Sequence, residues 1–394
     1  MGAAMAVGGI KDSLIVVVGT DECTYYTKSM TIHSEKFGGI GGRCVSVVLD
    51  DHDVTFGSAE KVQGAFKEII EEYRPQCVFL VTTCVIEIIG DDFDAISEGL
   101  SELYGIPVLP VHTEHFKCED HLPGLERTIT VCAEMMKSCD SDNSVNLLGQ
   151  RMGDFATTEL YAMLQKAGVK IGLQLPCGCS VDDIKNAAAA KVNIVVNDIA
   201  LPLAQKMQEK FGIPYVYFNK FVIPEKIYEA YKNLFGYLEL ELPGELEGLY
   251  QNAREKIEKN KGELEGITYI YGNTPYAVFE MNCFLSSLGM VPQVIQTNRY
   301  TEADEPYAKE ILQYTDPYVC KAANIAPLQY VYDVLSPYLY LGHEFGNRLR
   351  QKGIAIVHSD RASGMLGFEV TGYLLQQLVK SVREAKEYRK ELCL

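Results

Sequence analysis

The stretch Val78 to Asp92 reads VFLVTTCVIEIIGDD, and its pattern decides the fold. Val78 to Val81 is too short and too β-branched for a helix. The run passes through Thr82 and Thr83 to Cys84, and Gly90-Asp91-Asp92 then opens a helical segment. A thiol therefore stands at the carboxyl end of a buried strand, the edge at which open α/β sheets place their chemistry. Working outward, the apolar strand Leu14 to Val18 ends in the same way, through Gly19-Thr20-Asp21-Glu22, at Cys23. Two strand-end cysteines in one domain predict a shared thiolate site.

The rest of the chain repeats this alternation of strand and helix. Strands are predicted at Val45 to Leu49 and Val108 to Val111, with helices over Ser58 to Tyr73 and Asp94 to Tyr104. A second series begins with the strand at VNLLG, residues 145–149, which leads into Arg151-Met152-Gly153-Asp154 and a helix over Thr157 to Ala167. Strands Val169 to Leu175, Ile194 to Val196 and Tyr215 to Phe218 continue it. Between Glu225 and Gly266 the chain turns helical and charged, which predicts a long solvated helix joining domains. A third series has strands Ile267 to Tyr271, Val291 to Ile295, Tyr338 to Leu341 and Ile354 to Val357, and a closing helix over Phe368 to Glu391. The predicted fold is α/β, with three Rossmann-like, doubly wound domains on parallel sheets. Their boundaries are set at residues 1–140, 141–225 and 267–394, with the charged connector at 226–266.

A chain of 394 residues exceeds one ordinary core, so several domains are expected. The formal charge of −17 argues against nucleic acid or an anionic membrane as partner, because phosphates are bound by clustered Lys and Arg. The absence of an apolar run of about 18 residues removes a spanning helix, and the chain is expected to be cytoplasmic. In that compartment twelve cysteines read as buried thiols or metal ligands rather than disulfides. Gly153-Asp154 follows a strand, yet no GxGxxG or GxxxxGK[ST] motif does, so no nucleotide is expected on this chain.

Several segments, taken in order, match something specific: GAAMAVGGIKDS at Gly2 to Ser13, GTDEC at Gly19 to Cys23, TTCVIEIIGDD at Thr82 to Asp92 and LLGQRMGDFATTEL at Leu147 to Leu160. AAAAKVNIVVN at Ala187 to Asn197, KFGIPYVYFNKFVIPEKI at Lys210 to Ile227 and HSDRASGMLGFEVTGYLL at His358 to Leu375 complete the set. Together they resemble the nitrogenase component 1 family over nearly the whole chain, the TTC to IGDD segment being the most specific piece. The resemblance implies three Rossmann-like domains, an iron-sulfur cluster ([4Fe-4S] or larger) near a subunit interface, and a separate ATP-dependent iron-sulfur reductase that delivers electrons. It also implies a homodimer, or a heterotetramer with a paralogous subunit, and it puts Cys23 and Cys84 on two cluster-binding positions.

The departures from the family pattern are informative. The family's first cluster cysteine stands a few residues ahead of the segment matched by Gly2, where this chain begins, so the resemblance predicts either a further cysteine encoded upstream of Met1 or a cluster completed by a partner subunit or Cys118. His-Gly-Pro ahead of the second cluster cysteine is replaced here by Gly19-Thr20-Asp21-Glu22. Asn197 and Leu366 stand where the catalytic subunit of nitrogenase holds its molybdenum cofactor with a cysteine and a histidine. The chain is therefore not expected to be the cofactor-bearing subunit.

Other residues offer chemistry of their own. Cys177-Gly178-Cys179 forms a CxC turn after a strand, able to bind metal or to act as a redox pair, or simply two buried or surface thiols. The loop Val111 to Gly124 gathers His112, His115, Cys118 and His121 at spacings of three, as ligands on one face or as solvated side chains. His115 is the candidate proton donor. Arg361, after the strand Ile354 to Val357, is the candidate contact for an anionic substrate, or the member of a structural ion pair. The expected function is a subunit of a nitrogenase-like two-component reductase acting on a substrate in an interdomain cleft. A scaffold for assembly of a metal cofactor, or an architectural subunit without catalysis, is the alternative.

Overall fold

The computed structural model describes residues 1–32, 43–118, 120–151, 153–272, 274, 276–321 and 325–393. A two-residue strand, β1 (Ile10–Lys11), precedes a first sheet made of β2 (Ser13–Gly19), β3 (Cys44–Val48), β4 (Cys77–Thr82) and β5 (Val108–Val111). These four run parallel in the order β3-β2-β4-β5. Every residue of β2 and of β4 is buried, the condition of a parallel strand covered on both faces and the reason these two read as unbroken apolar runs.

The second sheet consists of β6 (Val145–Gln150), β7 (Ile171–Pro176), β9 (Val192–Val195) and β10 (Tyr215–Tyr217), parallel in the order β10-β9-β6-β7. Between β7 and β9 the short β8 (Cys179–Ser180) pairs with β1, so that Ile10 lies beside Cys179. The third sheet contains β11 (Thr268–Tyr271), β12 (Val291–Gln296), β13 (Tyr318–Cys320), β14 (Leu339–Leu341) and β15 (Ala355–Val357), parallel in the order β13-β12-β11-β14-β15. The α/β class and its parallel sheets are as the alternation of strand and helix predicts.

All three sheets are wound by one rule. The chain leaves the first strand toward one edge, then returns to pair a later strand on the first strand's other side, β4 beside β2, β9 beside β6, β14 beside β11. Such reversals open a crevice at the carboxyl ends of the paired strands, where ligands of open α/β sheets bind.

The backbone divides into two compact units, one of Met1–Met152, Gly168–Tyr217 and Tyr237–Glu239, the other of Gly153–Ala167, Phe218–Gly236 and Leu240–Leu394. In the first unit one apolar cluster joins side chains of both its sheets, Ile15, Val17, Phe79 and Val81 with Leu148, Leu173, Leu175 and Val195. The other face of the first sheet packs Leu14, Val16 and Leu80 against Val62 and Phe66. In the second unit the third sheet sets Tyr269, Tyr271 and Ile295 against Val370, Leu374 and Leu378 of the Glu369–Glu391 helix.

The charged connector differs from the single solvated helix that its composition predicts. It holds two helices, Pro224–Leu238 and Leu246–Leu264. The former buries Ile227, Ala230, Tyr231, Leu234 and Phe235, spaced as one helical face. Charge on the outward face masked that stripe. No helix among the described residues is long and apolar enough to cross a membrane.

Candidate functional site

The crevice of the first sheet is built by two strand-to-helix turns. β2 ends at Gly19 and the Asp21–Ile32 helix begins two residues later, with Cys23 in its first turn; β4 ends at Thr82 and Cys84 opens the Cys84–Ile89 helix. Because Val18 pairs with Thr82 in register, the two turns emerge side by side. The thiols of Cys23 and Cys84 come close enough to interact with each other. Partial burial pushes the Cys84 thiol above its usual range, and the Cys23 sulfur adds to the effect.

Gly19 makes this approach possible. A Cβ there would lie 2.0 Å from Thr83 Oγ1 and 2.8 Å from Thr83 Cβ. Thr83 caps the Cys84–Ile89 helix from an extended backbone without a side-chain cap bond, and its Oγ1 is buried with no hydrogen-bond partner among the described residues. Beneath it, Thr82 Oγ1 donates to Glu87 Oε1 at 2.6 Å, and the same carboxylate oxygen accepts from the Glu114 amide at 2.8 Å. Thr113 returns two bonds to Thr82, its amide to Oγ1 at 3.2 Å and its hydroxyl to the carbonyl at 3.0 Å. The loop after β5 is thereby stitched to the strand end that carries Cys84.

Cys118 belongs to that loop, half-buried, its thiol turned to the Thr113 and Glu114 carbonyls at 3.5 and 3.4 Å. It does not close on the pair. Among the described residues the one group of three or more His, Cys, Asp and Glu ligand atoms mutually within 4.8 Å is Asp50, His52 and Asp53, and Lys61 already sits on both of those carboxylates. His115 begins a short 3-10 turn, His115–Lys117, and its side chain lies outside the described residues. His112 meets Asp94 at 3.2 Å.

Cys177 and Cys179 lie elsewhere. Cys179 is buried beside β1, and burial pushes its thiol up to about 12, with Asp183 adding to the rise. Its electrostatic neighbour Cys132 is also within reach of Cys77, the first residue of β4, whose thiol burial likewise pushes up to about 12. Cys84 follows the last residue of that same strand, about 20 Å away at ~3.3 Å per residue. Cys179 thus belongs to the core at the amino end of the sheet, and the structure does not bring it to Cys23 and Cys84.

Arg361 is exposed on the Asp360–Gly364 turn and makes neither hydrogen bond nor ion pair among the described residues, so no structural ion pair is formed there with them. Asn197 spends its Oδ1 on the Ile199 amide at 3.2 Å. Leu366 is 0% exposed, with its carbonyl accepting from the Leu160 amide. Asn197 thus caps the turn that follows β9, and Leu366 is packed in the core.

Two cysteines side by side have alternatives open to them: a disulfide, or two soft anionic donors for iron. The unpartnered Thr83 hydroxyl beside them, at a switch-point crevice, fits a polar or anionic occupant better than a closed core. A chain of parallel doubly wound sheets is of the α/β class whose ligands, where bound, sit at the carboxyl ends of the strands. The chain belongs to the nitrogenase component 1 type oxidoreductase family, whose profile matches residues 1–383.

Curated relatives agree with that placement. The nitrogenase iron-molybdenum cofactor biosynthesis protein NifE of Clostridium pasteurianum is 31% identical over 220 residues, which cover 55% of this chain and 48% of that protein. NifE of Rippkaea orientalis is 26% identical over 278 residues, 67% of this chain and 58% of the relative. The nitrogenase molybdenum-iron protein alpha chain of Methanosarcina barkeri is 25% identical over 298 residues, 72% and 56%. The matched segments thus span about half of the relatives' lengths. A solved structure of nitrogenase Cp1 at pH 6.5 superposes with a TM-score of 0.81 over 98% of this chain and 92% of that one at 15% identity, a likeness of fold.

Proposed function

We propose that this chain is the cluster-holding subunit of a nitrogenase-like two-component reductase, with Cys23 and Cys84 as two thiolate ligands of an iron-sulfur cluster, [4Fe-4S] or larger. The observation that carries the reading is the meeting of those two thiols at the switch point of the first sheet. A cluster of this kind takes about four protein ligands and supplies a one-electron carrier. The chain's own residues then do the rest. Gly19 admits the close approach, the Thr82-Glu87-Glu114 bonds fix the turn that bears Cys84, and the Thr83 hydroxyl is free to donate toward a sulfide.

Among the described residues no third ligand atom groups with the pair within 4.8 Å, and this reading draws the remaining donors from elsewhere. A second copy or a paralogous subunit is the source this reading adopts. Tyr25 and Tyr26, 63% and 67% exposed on the Cys23 helix, and Ile88, 72% exposed on the Cys84 helix, give the surroundings of the thiols the apolar character of a covered interface. Electrons would come from a separate ATP-dependent iron-sulfur reductase, with no nucleotide on this chain.

A second reading is favoured by the names of the relatives. Two of those described above are cofactor biosynthesis proteins, and a scaffold on which a metal cofactor is assembled would use the same cysteines without turnover. Anaerobic iron and sulfide analysis with EPR tests what both readings share. Wild type is expected to carry iron with a cluster signal, and Cys84→Ala and Cys23→Ala to lose it; an unchanged spectrum in both variants would remove the pair from any metal role. Incubation with the reductase partner and ATP then separates the two, since a reductase subunit oxidises the partner catalytically and a scaffold passes metal to an acceptor.

A further inference from the structure

The second sheet repeats the winding of the first, and its switch point carries different chemistry. Arg151 follows β6 directly and Asn197 follows β9 within two residues, while Leu148 pairs with Val195, so both leave the carboxyl ends of adjacent strands. The strand ends are held unusually close. Gly149 sits at φ +98°, and a Cβ there would lie 2.9 Å from Asn197 Cβ and 3.0 Å from its amide nitrogen. Arg151, at the end of β6, is half-buried, and among the described residues its guanidinium makes neither hydrogen bond nor ion pair.

His121, at the start of the Leu122–Val131 helix, lies within electrostatic reach of it. Burial lowers the affinity of both groups for their protons, and the Arg151 charge lowers that of His121 further. Asp120 attracts Arg151, but it is exposed and not in contact, with its Oδ1 engaged by the Leu122 amide at 2.8 Å. A half-buried guanidinium without a protein partner is costly, and in a chain that carries 53 acidic residues the lack of a carboxylate contact among the described residues is a specific arrangement. What satisfies a planar fork of this kind is an oxyanion.

We infer that Arg151, supported by His121, forms an oxyanion subsite at the switch point of the second sheet, which receives a carboxylate or phosphate group of a small-molecule ligand. The subsite gives the proposed reductase an anionic substrate class, yet anion binding itself does not depend on iron at Cys23 and Cys84. It also assigns to Arg151 the role that the sequence points to at Arg361, which the fold leaves on an exposed turn.

The test uses the full chain with citrate and inorganic phosphate as probes, against chloride at equal ionic strength. Isothermal titration is expected to show saturable binding of citrate or phosphate, the tighter of the two naming the group. The affinity should fall at least tenfold in Arg151→Gln, less in Arg151→Lys, and not at all in Arg361→Gln or Cys84→Ala. The last comparison keeps a failure of the cluster reading apart from a failure of this one. If Arg151→Gln does not fold, phenylglyoxal modification of wild type mapped by mass spectrometry decides, since the bound probe should slow reaction at Arg151 severalfold. Heat of binding no greater than chloride's, wild-type affinity in a folded Arg151→Gln, or an Arg151 modification rate indifferent to both probes would each overturn the proposal.

Discussion

At the residue scale, Gly19 and Glu159 show how single side chains hold chemistry in place. A methyl group at Gly19 cannot be absorbed by rotation of Thr83 alone, because the Thr83 Cβ itself would lie 2.8 Å away. Gly19→Ala is therefore expected to cost about 1–3 kcal/mol, as overpacking of a filled site does, and to displace the cap that starts the Cys84 helix. Urea unfolding should show the loss, and iron retention should fall with it. Full stability and full iron content in Gly19→Ala would show that the two turns are not held in contact. Glu159 poses a different problem. Its Oε1 accepts from Tyr231 Oη at 3.0 Å and from the Phe368 amide at 3.0 Å, yet burial raises its affinity for a proton, and nearby Glu369 adds to that. A carboxyl whose folded value is raised contributes its full stability below the ordinary glutamate range and loses it as pH rises through the folded value. Glu159→Gln keeps both acceptor bonds without the charge. Its melting temperature should therefore decline less than that of wild type from mildly acid to alkaline pH, and parallel curves would refute the assignment.

At the scale of elements, the loop after β5 depends on one carboxylate. Glu87 Oε1 ties Thr82 to the Glu114 amide, so Glu87→Ala leaves a buried hydroxyl and a backbone N–H without that acceptor, at about 1–3 kcal/mol. Hydrogen exchange at Glu114 should quicken by an order of magnitude or more, while exchange in the β2 and β4 ladders stays as in wild type. Exchange at Glu114 equal to wild type would mean that other contacts hold the loop. The strands behind this loop were legible in the sequence because their apolar runs are continuous: Leu14 to Val18 was expected where Ser13–Gly19 is found, and Val78 to Val81 where Cys77–Thr82 is found. Other elements left no such trace. The Gly2–Gly8 helix buries Gly2, Ala3, Ala4, Ala6 and Val7, a composition with no polar face to set a period. β1 and β8 are two residues each and exist through their pairing, and β13 is exposed along its length. The thiol pair could be read from strand ends, since each cysteine follows its own apolar run. The Arg151 crevice could not, because its meaning depends on β9 returning to the far side of β6, a fact of topology that local sequence does not carry.

At the scale of the whole molecule, the grouping of cores makes a prediction about cooperativity. The alternation of strand and helix divides the chain into three sheet-bearing domains, and among the described residues three parallel sheets of four or five strands are present beside the two-stranded β1-β8 pair. Apolar contacts are grouped otherwise: Phe79 of the first sheet and Leu173 of the second belong to one buried cluster, whereas Tyr269 and Leu285 belong to another. Side chains that share a close-packed cluster lose their contacts together, so the first two sheets should unfold as one cooperative unit. Phe79→Ala, at about 3–5 kcal/mol, and Leu173→Ala, at about 2–5, should therefore move the same step of a denaturation curve. Leu285→Ala should leave that step in place and lower the stability of the unit that holds the third sheet. Two probes would report this, near-ultraviolet circular dichroism for the whole chain and hydrogen exchange resolved by peptide for each sheet. If Phe79→Ala and Leu173→Ala moved separate steps, each sheet would be a folding unit of its own. The three-domain division read from the sequence would then describe energetics as well as architecture.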